Sequence, residues 1–430
     1  MRDFEAYYAA GAAWNAGANP YSQQIWRYER SLSGVNARRY EALPYVAPPA
    51  TLPVFGAIAK LRFATANDLW RAILVACIAL LATAALRLAR RRFHPVACAA
   101  AAIAAIGFGP ITSALALGQL ALPAAAFATL AVAWFPAVFV AWIQPNVALA
   151  AAAYCGSLGG ALRLLASVVL LAAACVLVAG PHGIAQYASF LRLHSAAEAF
   201  SAIQFTPPAI AFGFGLAPAT ARAFGAAVAV AAICVWALLM RRANDLRERF
   251  CVTCALLPFA VSFVHEHDLA ILFAPAVVFA ARARARVWPL ALCGSLLVAT
   301  DWLGLAQRPD GALQTALLVS ACGIALIVLR ADFDTRMLAV PAFVAGMIAT
   351  AAVLASTHPV PVWPDATAAL PAGIETWRLS DAWHAEQSAT GLFAREPFWA
   401  ALRLLPLIGC AMLAACAALE HRVDAKCQRS

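Results

Sequence analysis

Three groups of polar residues in this chain have types and spacings that could do chemistry. The first runs Asp3-Phe4-Glu5-Ala6-Tyr7-Tyr8-Ala9-Ala10-Gly11, then Asn19-Pro20-Tyr21, then Tyr45-Val46-Ala47-Pro48-Pro49. The second is Gly118-Gln119, with Gln144-Pro145-Asn146 further on, and the third is the tetrad His265-Glu266-His267-Asp268. A carboxylate or an imidazole can take the proton of a weakly acidic hydroxyl once partial burial has tuned it. Phenols and amides supply oriented hydrogen bonds. A turn of ionisable residues can also be simply wet; it is functional by default only when it sits deep in a membrane. Cys251-Val252-Thr253-Cys254 is a lone CxxC with no second pair and no histidine nearby, a weak metal or redox signal. Most of the other cysteines sit singly in apolar runs, where a thiol packs as a small hydrophobe. No metal-ligand spacing is visible, so no tightly bound metal and no cofactor are expected.

The elements that must position these groups are membrane helices. The 430-residue chain is 64% hydrophobic and 12% charged, with a mean hydropathy of +0.78. A soluble domain carries roughly 25% charged residues. Apolar runs of about 20 residues, long enough to cross a hydrocarbon core, recur from Leu69 to Leu419. They lack period-2 alternation, and lipid forces backbone pairing within each span, so the expected class is an all-α polytopic membrane protein, not a barrel. About eleven to thirteen transmembrane helices are expected, with outer-face loops and short amphipathic helices.

The net charge of +10 is mostly arginine at helix ends, so it is not a sign of nucleic-acid binding. Arg87, Arg90, Arg91 and Arg92 follow the run 68–89; Arg241, Arg242, Arg247 and Arg249 follow 218–240; Arg282, Arg284 and Arg286 follow 268–281. Arg330 and Arg336 flank another junction, and Arg422, Lys426 and Arg429 end the chain. The positive-inside rule puts these in the cytoplasm. Parity then sets the order: an outer N-terminal segment 1–67, a core region 68–285 with an outer loop 181–217, further spans in 286–356, an outer loop 357–398, and a last span with a cytoplasmic tail in 399–430. The stretch 118–162 must cross an odd number of times, and Pro123, Pro136 and Pro145 favour a broken path. Spans are expected at 249–264, 268–281, 287–305, 313–329 and 337–356. The long polar segments all fall on one side, carry Trp, Tyr, Pro and His, and mark that side as the working face of an inner, cytoplasmic membrane. The segment 1–67 holds seven Lys or Arg residues, which resist export as a free tail, so an export helix upstream of Met1 is expected.

Together these pieces resemble glycosyltransferase family 87, the polyprenyl-phosphate-mannose-dependent mannosyltransferases of the C superfamily. The family reads D-F-x-x-Y-Y-x-A-G, then G-x-x-P-Y, then a Y-x-P-P-type segment, a G-Q element, a K-P element and an outer turn leading into D-L. Asp3, Phe4, Tyr7, Tyr8, Ala10, Gly11, Pro20, Tyr21, Pro48, Pro49, Gly118, Gln119, His267, Asp268 and Leu269 match in that order, over residues 1 to about 285. The lysine of the K-P element is Gln144 here, and the spacing from Gln119 to Pro145 is short. The resemblance implies transfer of a hexose, mannose in the first instance, from a polyprenyl-phosphate-linked donor to a lipid or glycan acceptor at the membrane. It makes Asp3 the first choice for the catalytic carboxylate, and His265 or His267 the second, as proton acceptor or phosphate partner. Tyr7, Tyr8, Tyr21, Gln119, Gln144, Asp268 and Arg395 are the candidate substrate-binding residues.

The donor phosphate needs cations or backbone N–H groups; Arg192, Arg222, Arg308, Arg378, Arg395 and Arg403 lie on the expected outer side, where an arginine is also an ordinary interfacial anchor. Trp363, Trp377 and Trp383 could stack on sugars or simply sit at the interface. His94, His182, His194 and His358 read as ordinary loop histidines. Two other classes stay open: a secondary transporter or flippase of a lipid-linked or small solute, and a degenerate, non-catalytic member. Against transport, no clear internal repeat is seen and charges inside spans are nearly absent, Asp301 lying near an end.

Overall fold

The computed structural model describes residues 1–32, 43–90, 94–307, 311–330 and 376–427, without the side chains of 303, 306, 307 and 421–427. The expected span 337–356, Arg38, Arg39, Arg308, Arg336, His358, Trp363 and residues 357–375 of the loop 357–398 lie outside the described residues. Every regular element among the described residues is a helix. Four helices are long and apolar enough to cross a membrane, Phe63–Leu88, Leu158–Glu198, Pro218–Arg242 and Pro397–Glu420, and Pro95–Ile106 with Gly109–Leu117 makes a fifth if that pair, bent by 64°, is one span. The chain is an all-α polytopic membrane protein.

Phe63–Leu88 shows how a span reads. Its buried residues Ala66, Trp70, Leu74, Cys77, Leu81 and Ala85 recur every three to four positions, one face of a helix, while Leu69 and Val75 are exposed on the other. At 1.5 Å per residue its 26 residues run about 39 Å. Its last turn meets the basic connections: Arg247 donates to the Leu88 carbonyl, Arg282 to Ala89, and Arg90 pairs with Asp245 at 3.5 Å. Arg284 pairs with Glu420, and Arg330 donates to the Ala283 carbonyl, at the same end. The first turn meets the N-terminal segment, Phe63 packing on the rings of Phe4 and Tyr8. Basic connections therefore meet the Leu88 end of this helix and the N-terminal segment meets its Phe63 end.

Several expected spans are built as shorter pieces. The stretch 118–162 breaks into Ala121–Ala131, Val138–Ala141, Pro145–Ala148 and the 3-10 turn Leu149–Gly156, with Pro145 starting a helix. The run 249–264 becomes Leu246–Ala260, and 268–281 becomes the 3-10 segment Glu266–Leu272 followed by Phe273–Arg282. Trp288–Ala299 and Trp302–Gln307 replace 287–305. Broken backbone is tolerated at membrane depth where protein surrounds it. Phe273–Arg282 fits that condition, being buried on every face from Phe273 to Ala281.

The region 181–217 is not a plain loop. After a break at Gly180, whose φ is +69°, residues 181–198 continue as helix, and Pro207–Gly213 adds another. The 22 residues from 158 to 179 already cover a hydrocarbon core of about 30 Å, so 181–198 lies beyond the spanning part.

The N-terminal segment folds on the polar end. Arg2–Asn15 packs against Leu52–Ile58 at Gly11, where a Cβ would lie 2.2 Å from the Phe55 carbonyl oxygen. Gly11→Ala is expected to force these helices apart and cost about 1–3 kcal/mol, read as a lower thermal midpoint of the purified protein in detergent.

Candidate functional site

Arg2–Asn15 places Asp3 in its first turn, where the helix dipole favours a carboxylate, and Tyr7 one turn later on the same face. The partner that joins them comes from far along the chain. Gly109–Leu117 ends at Gly118, whose φ of +87° is left-handed and whose missing Cβ would lie 2.9 Å from Met1 and 3.0 Å from Phe4. Glycine thus satisfies both the turn and the close approach. The Gly118 carbonyl accepts from the Trp70 indole at 2.8 Å. The next residue, Gln119, donates through Nε2 to Asp3 Oδ2 and accepts through Oε1 from the Tyr7 hydroxyl at 2.8 Å. Burial, and then the charge of Asp3, raises Tyr7 well above the ordinary phenol range, so it acts as a neutral O–H donor.

The tetrad lies across the same cavity. His265 caps the 3-10 segment, and Asp268 turns back so that its Oδ2 accepts from the His265 backbone N–H at 2.9 Å. Gln144 and Asn146 donate to the two Asp268 oxygens at 3.2 and 2.8 Å. These contacts commit Asp268 and Gln144 to fixing the turn, and Gln144 also lines the cavity.

His265 reaches outward to a second layer. Its Nε2 lies 3.1 Å from Glu198 Oε1 and 3.1 Å from Gln204 Nε2. The other Glu198 oxygen faces His194 Nε2 at 3.2 Å, and Gln387 donates to Oε1 at 3.1 Å. Gln204 is held by accepting from the Val264 N–H at 3.0 Å. Its segment is strapped from several sides: Phe205 donates to Val264, Ala202 to Leu392, Trp399 to the Ala202 carbonyl, and Arg403 to the Ser201 and Gln204 carbonyls.

Burial alone would lower His265, but the Glu198 carboxylate outweighs it, aided by Asp268 and Asp3, and holds the ring above its ordinary value. Burial would raise Glu198, yet His265 and His194 hold it well below the carboxylate range. His267, edge-on to His265 with ring centroids 5.2 Å apart, is pushed well down, by burial first and then by His265. Two histidines of one turn are thus pushed in opposite directions from the ordinary imidazole value.

Several of these groups border one cavity of about 830 Å³, lined by Arg2, Asp3, Tyr7, Gln119, Gln144, His194, Glu198, His265, Glu266, His267 and Trp383 at its polar end, whereas Asp268, Asn146, Gln204 and Gln387 stand behind its lining. Its other end reaches Thr112, Ser113, Asp301, Gln314 and Thr315. Of the residues singled out from sequence, Asp3, Tyr7, Gln119, Gln144, His265 and His267 line this space. Tyr8 and Tyr21 do not: Tyr8 donates to the Leu61 carbonyl, and Tyr21 donates to Ala47 and packs on Tyr45 and Tyr187. Arg395 stands away from the cavity, stacked on Phe212. Arg403 is buried and committed to backbone carbonyls, not available at an interface. His194, an ordinary loop histidine by sequence, is 4% exposed and paired with Glu198. Glu198 is not among the residues that sequence spacing singles out, although it is the only acidic residue between Pro181 and Ala217 and stands one helical turn after His194.

Among the described residues, no cluster of His, Cys, Asp or Glu is arranged to hold a metal ion. Comparison with family models, with curated proteins and with solved structures yields no match for this chain. What defines the protein is therefore its membrane-helical class and this cavity.

Gln119→Leu is expected to release both Asp3 and Tyr7 without changing side-chain size greatly. Losing a hydrogen bond to a charged group costs about 1.5–3 kcal/mol, so any reaction that depends on Asp3 should slow by about ten- to a hundredfold, and the thermal midpoint should fall as well because the buried Tyr7 hydroxyl loses its acceptor.

Proposed function

We propose that the chain is a membrane glycosyltransferase that moves a hexose, mannose in the first instance, from a polyprenyl-phosphate-sugar donor to a lipid or glycan acceptor. The working face is the outer side of the cytoplasmic membrane, the end of the bundle opposite the arginine clusters. One observation carries the reading: Gln119 bridges Asp3 and Tyr7 in the lining of a cavity that His265, Glu266 and His267 also line. Three of the segments that resemble glycosyltransferase family 87, at Asp3–Tyr7, at Gln119 and at His267, are far apart in sequence and border this one space.

In the proposed reaction the acceptor hydroxyl oxygen attacks the anomeric carbon as its bond to the phosphate oxygen breaks. The hydroxyl proton passes to the Asp3 carboxylate, and polyprenyl phosphate leaves as the anion. A phosphate is a good leaving group, so the demanding proton transfer is removal from the acceptor. Attack from the face opposite the phosphate inverts the anomeric centre, by analogy with inverting glycosidases. Gln119 holds Asp3 in place, and Trp383 at the cavity wall offers an apolar face to a sugar ring.

The test is transfer of labelled mannose from a polyprenyl-phosphate donor by the purified protein in lipid nanodiscs. Failure with mannose, glucose and galactose donors against membrane lipid extracts as acceptors would sink the reading.

The broken span Pro95–Ile106 with Gly109–Leu117 favours a second reading, a transporter, because discontinuous helices form transporter sites. Solute uptake into proteoliposomes without sugar transfer would select it.

A further inference from the structure

The Glu198 carboxylate has no place in the reaction as proposed, yet it is the most elaborately enclosed ionisable group bordering the cavity. It is 1% exposed, and both its oxygens face imidazole nitrogens, His265 at 3.1 Å and His194 at 3.2 Å. A carboxylate placed this deep is costly unless paired and hydrogen-bonded. The surrounding chain supplies that pairing from three separate regions: residues 181–198 for Glu198 and His194, the turn at His265, and Leu379–Ala389 for Gln387. Helix 379–389 is docked onto this spot through His384, which contacts the Ala197 carbonyl at 2.8 Å. A wet turn with no task needs none of this.

We infer that Glu198 is a positioning residue that holds the His265 ring at the cavity wall as the partner of the donor's phosphate. The inference rests on the glycosyltransferase reading and assigns the phosphate subsite within it.

Three further observations support it. Asp3, Glu266 and Glu198 are the carboxylates at the cavity's polar end, and among the described residues Arg2 is the only Lys or Arg in its lining, so the histidines are placed to add positive charge for an anionic donor. The groups facing His265 are Glu198, Asp268, Asp3, His267 and Gln204, and the carboxylates among them all favour its protonated form. The two histidines are pushed in opposite directions, the pattern by which acid and base roles divide between neighbouring groups of one type.

The experiment measures binding of undecaprenyl phosphate to the full chain in nanodiscs between about pH 5.5 and 9, alongside histidine NMR of the same sample, with the His265 signal assigned through His265→Asn. Wild-type affinity should fall as pH rises through the titration of His265. Glu198→Gln, which keeps the shape and removes the charge, should move that fall to lower pH by about one unit and weaken binding near pH 7.5 by about tenfold. Glu198→Asp should recover part of both. A merely structural Glu198 would lower the thermal midpoint and leave the pH of the fall unmoved, which overturns the inference. Should Glu198→Gln fail to fold, His265→Asn carries the test: its binding should lose the alkaline fall altogether, and persistence of that fall overturns the assignment. If His265 titrates at lower pH in Glu198→Gln while the binding curve stays put, His265 is not the phosphate's partner. If wild-type protein transfers sugar and the variants show none of these shifts, only the inference fails. If wild-type protein neither binds undecaprenyl phosphate nor transfers sugar, the glycosyltransferase reading falls with it.

Discussion

Asp3→Asn is expected to lower sugar transfer by about 10²- to 10⁴-fold, the usual contribution of a general base, while the protein stays folded. The substitution is nearly isosteric. The amide carbonyl of asparagine can still accept from Gln119 Nε2, so the Asp3–Gln119–Tyr7 chain keeps its shape. What disappears is the ability to take a proton. Asp3 is half-buried and lies in the first turn of Arg2–Asn15, so removing its charge forfeits a helix-end interaction of typically 0.3–1 kcal/mol, a small effect beside the loss of a base. The comparison that decides is kcat against the thermal midpoint measured on the same preparation. A variant that transfers sugar at more than a tenth of the wild-type rate would remove Asp3 from the proton-transfer step. In that case His267, which lines the same cavity and is pushed below the ordinary imidazole value by burial, becomes the base to test. A variant that loses activity and melts together would show Asp3 to be structural.

The arginines announce their end of the bundle because lipid punishes charge at depth, so their positions carry topology directly. Asp3, Tyr7 and Gln119 were legible as chemically capable residues, and Gly118 explains physically why the last of them arrives: only a left-handed residue without a Cβ lets the chain pass Met1 and Phe4 and turn Gln119 toward Asp3. Glu198 was not legible in the same way. Its significance depends on His265, a partner 67 positions later in the sequence, and no local period connects the two. A local clue exists in another sense, the one acid between Pro181 and Ala217 standing one turn after His194, and it points inward only once 181–198 is known to be helix. The short spans misled for a related reason. Apolar runs of about 20 residues mark depth in the membrane, but a segment such as Phe273–Arg282, enclosed by protein, has no need to keep helical form across the whole bilayer.

Glu198→Ala is expected to be the most destabilising single substitution at the site, costing about 3–5 kcal/mol, the range for breaking a buried pair by removing one partner. The side chain is almost wholly enclosed, so solvent does not screen the loss. The variant leaves His265 and His194 facing an empty space, with the Gln387 amide short of its acceptor. The pH dependence of the effect has a definite sign. Glu198 is held below its unfolded value, so its contribution is present above the ordinary glutamate range near about pH 4.3 and is lost as pH falls through its folded value. His265 is held above its unfolded value, so its contribution is complete below about pH 6.5 and is lost as pH rises through the raised folded value. The gap between wild-type and Glu198→Ala midpoints should therefore be widest between about pH 4.5 and 6.5 and narrow on the alkaline side. Thermal unfolding of both proteins across that range provides the check. A pH-independent gap would mean that packing, not charge, holds this layer together. The companion variant is Glu198→Leu with His194→Leu and His265→Leu, which replaces the whole ionic group by apolar side chains. Such replacements are often neutral in stability, so the triple variant should regain much of the midpoint lost by Glu198→Ala. It should nevertheless fail to bind undecaprenyl phosphate, because the layer would then hold the fold without presenting an imidazole to the cavity.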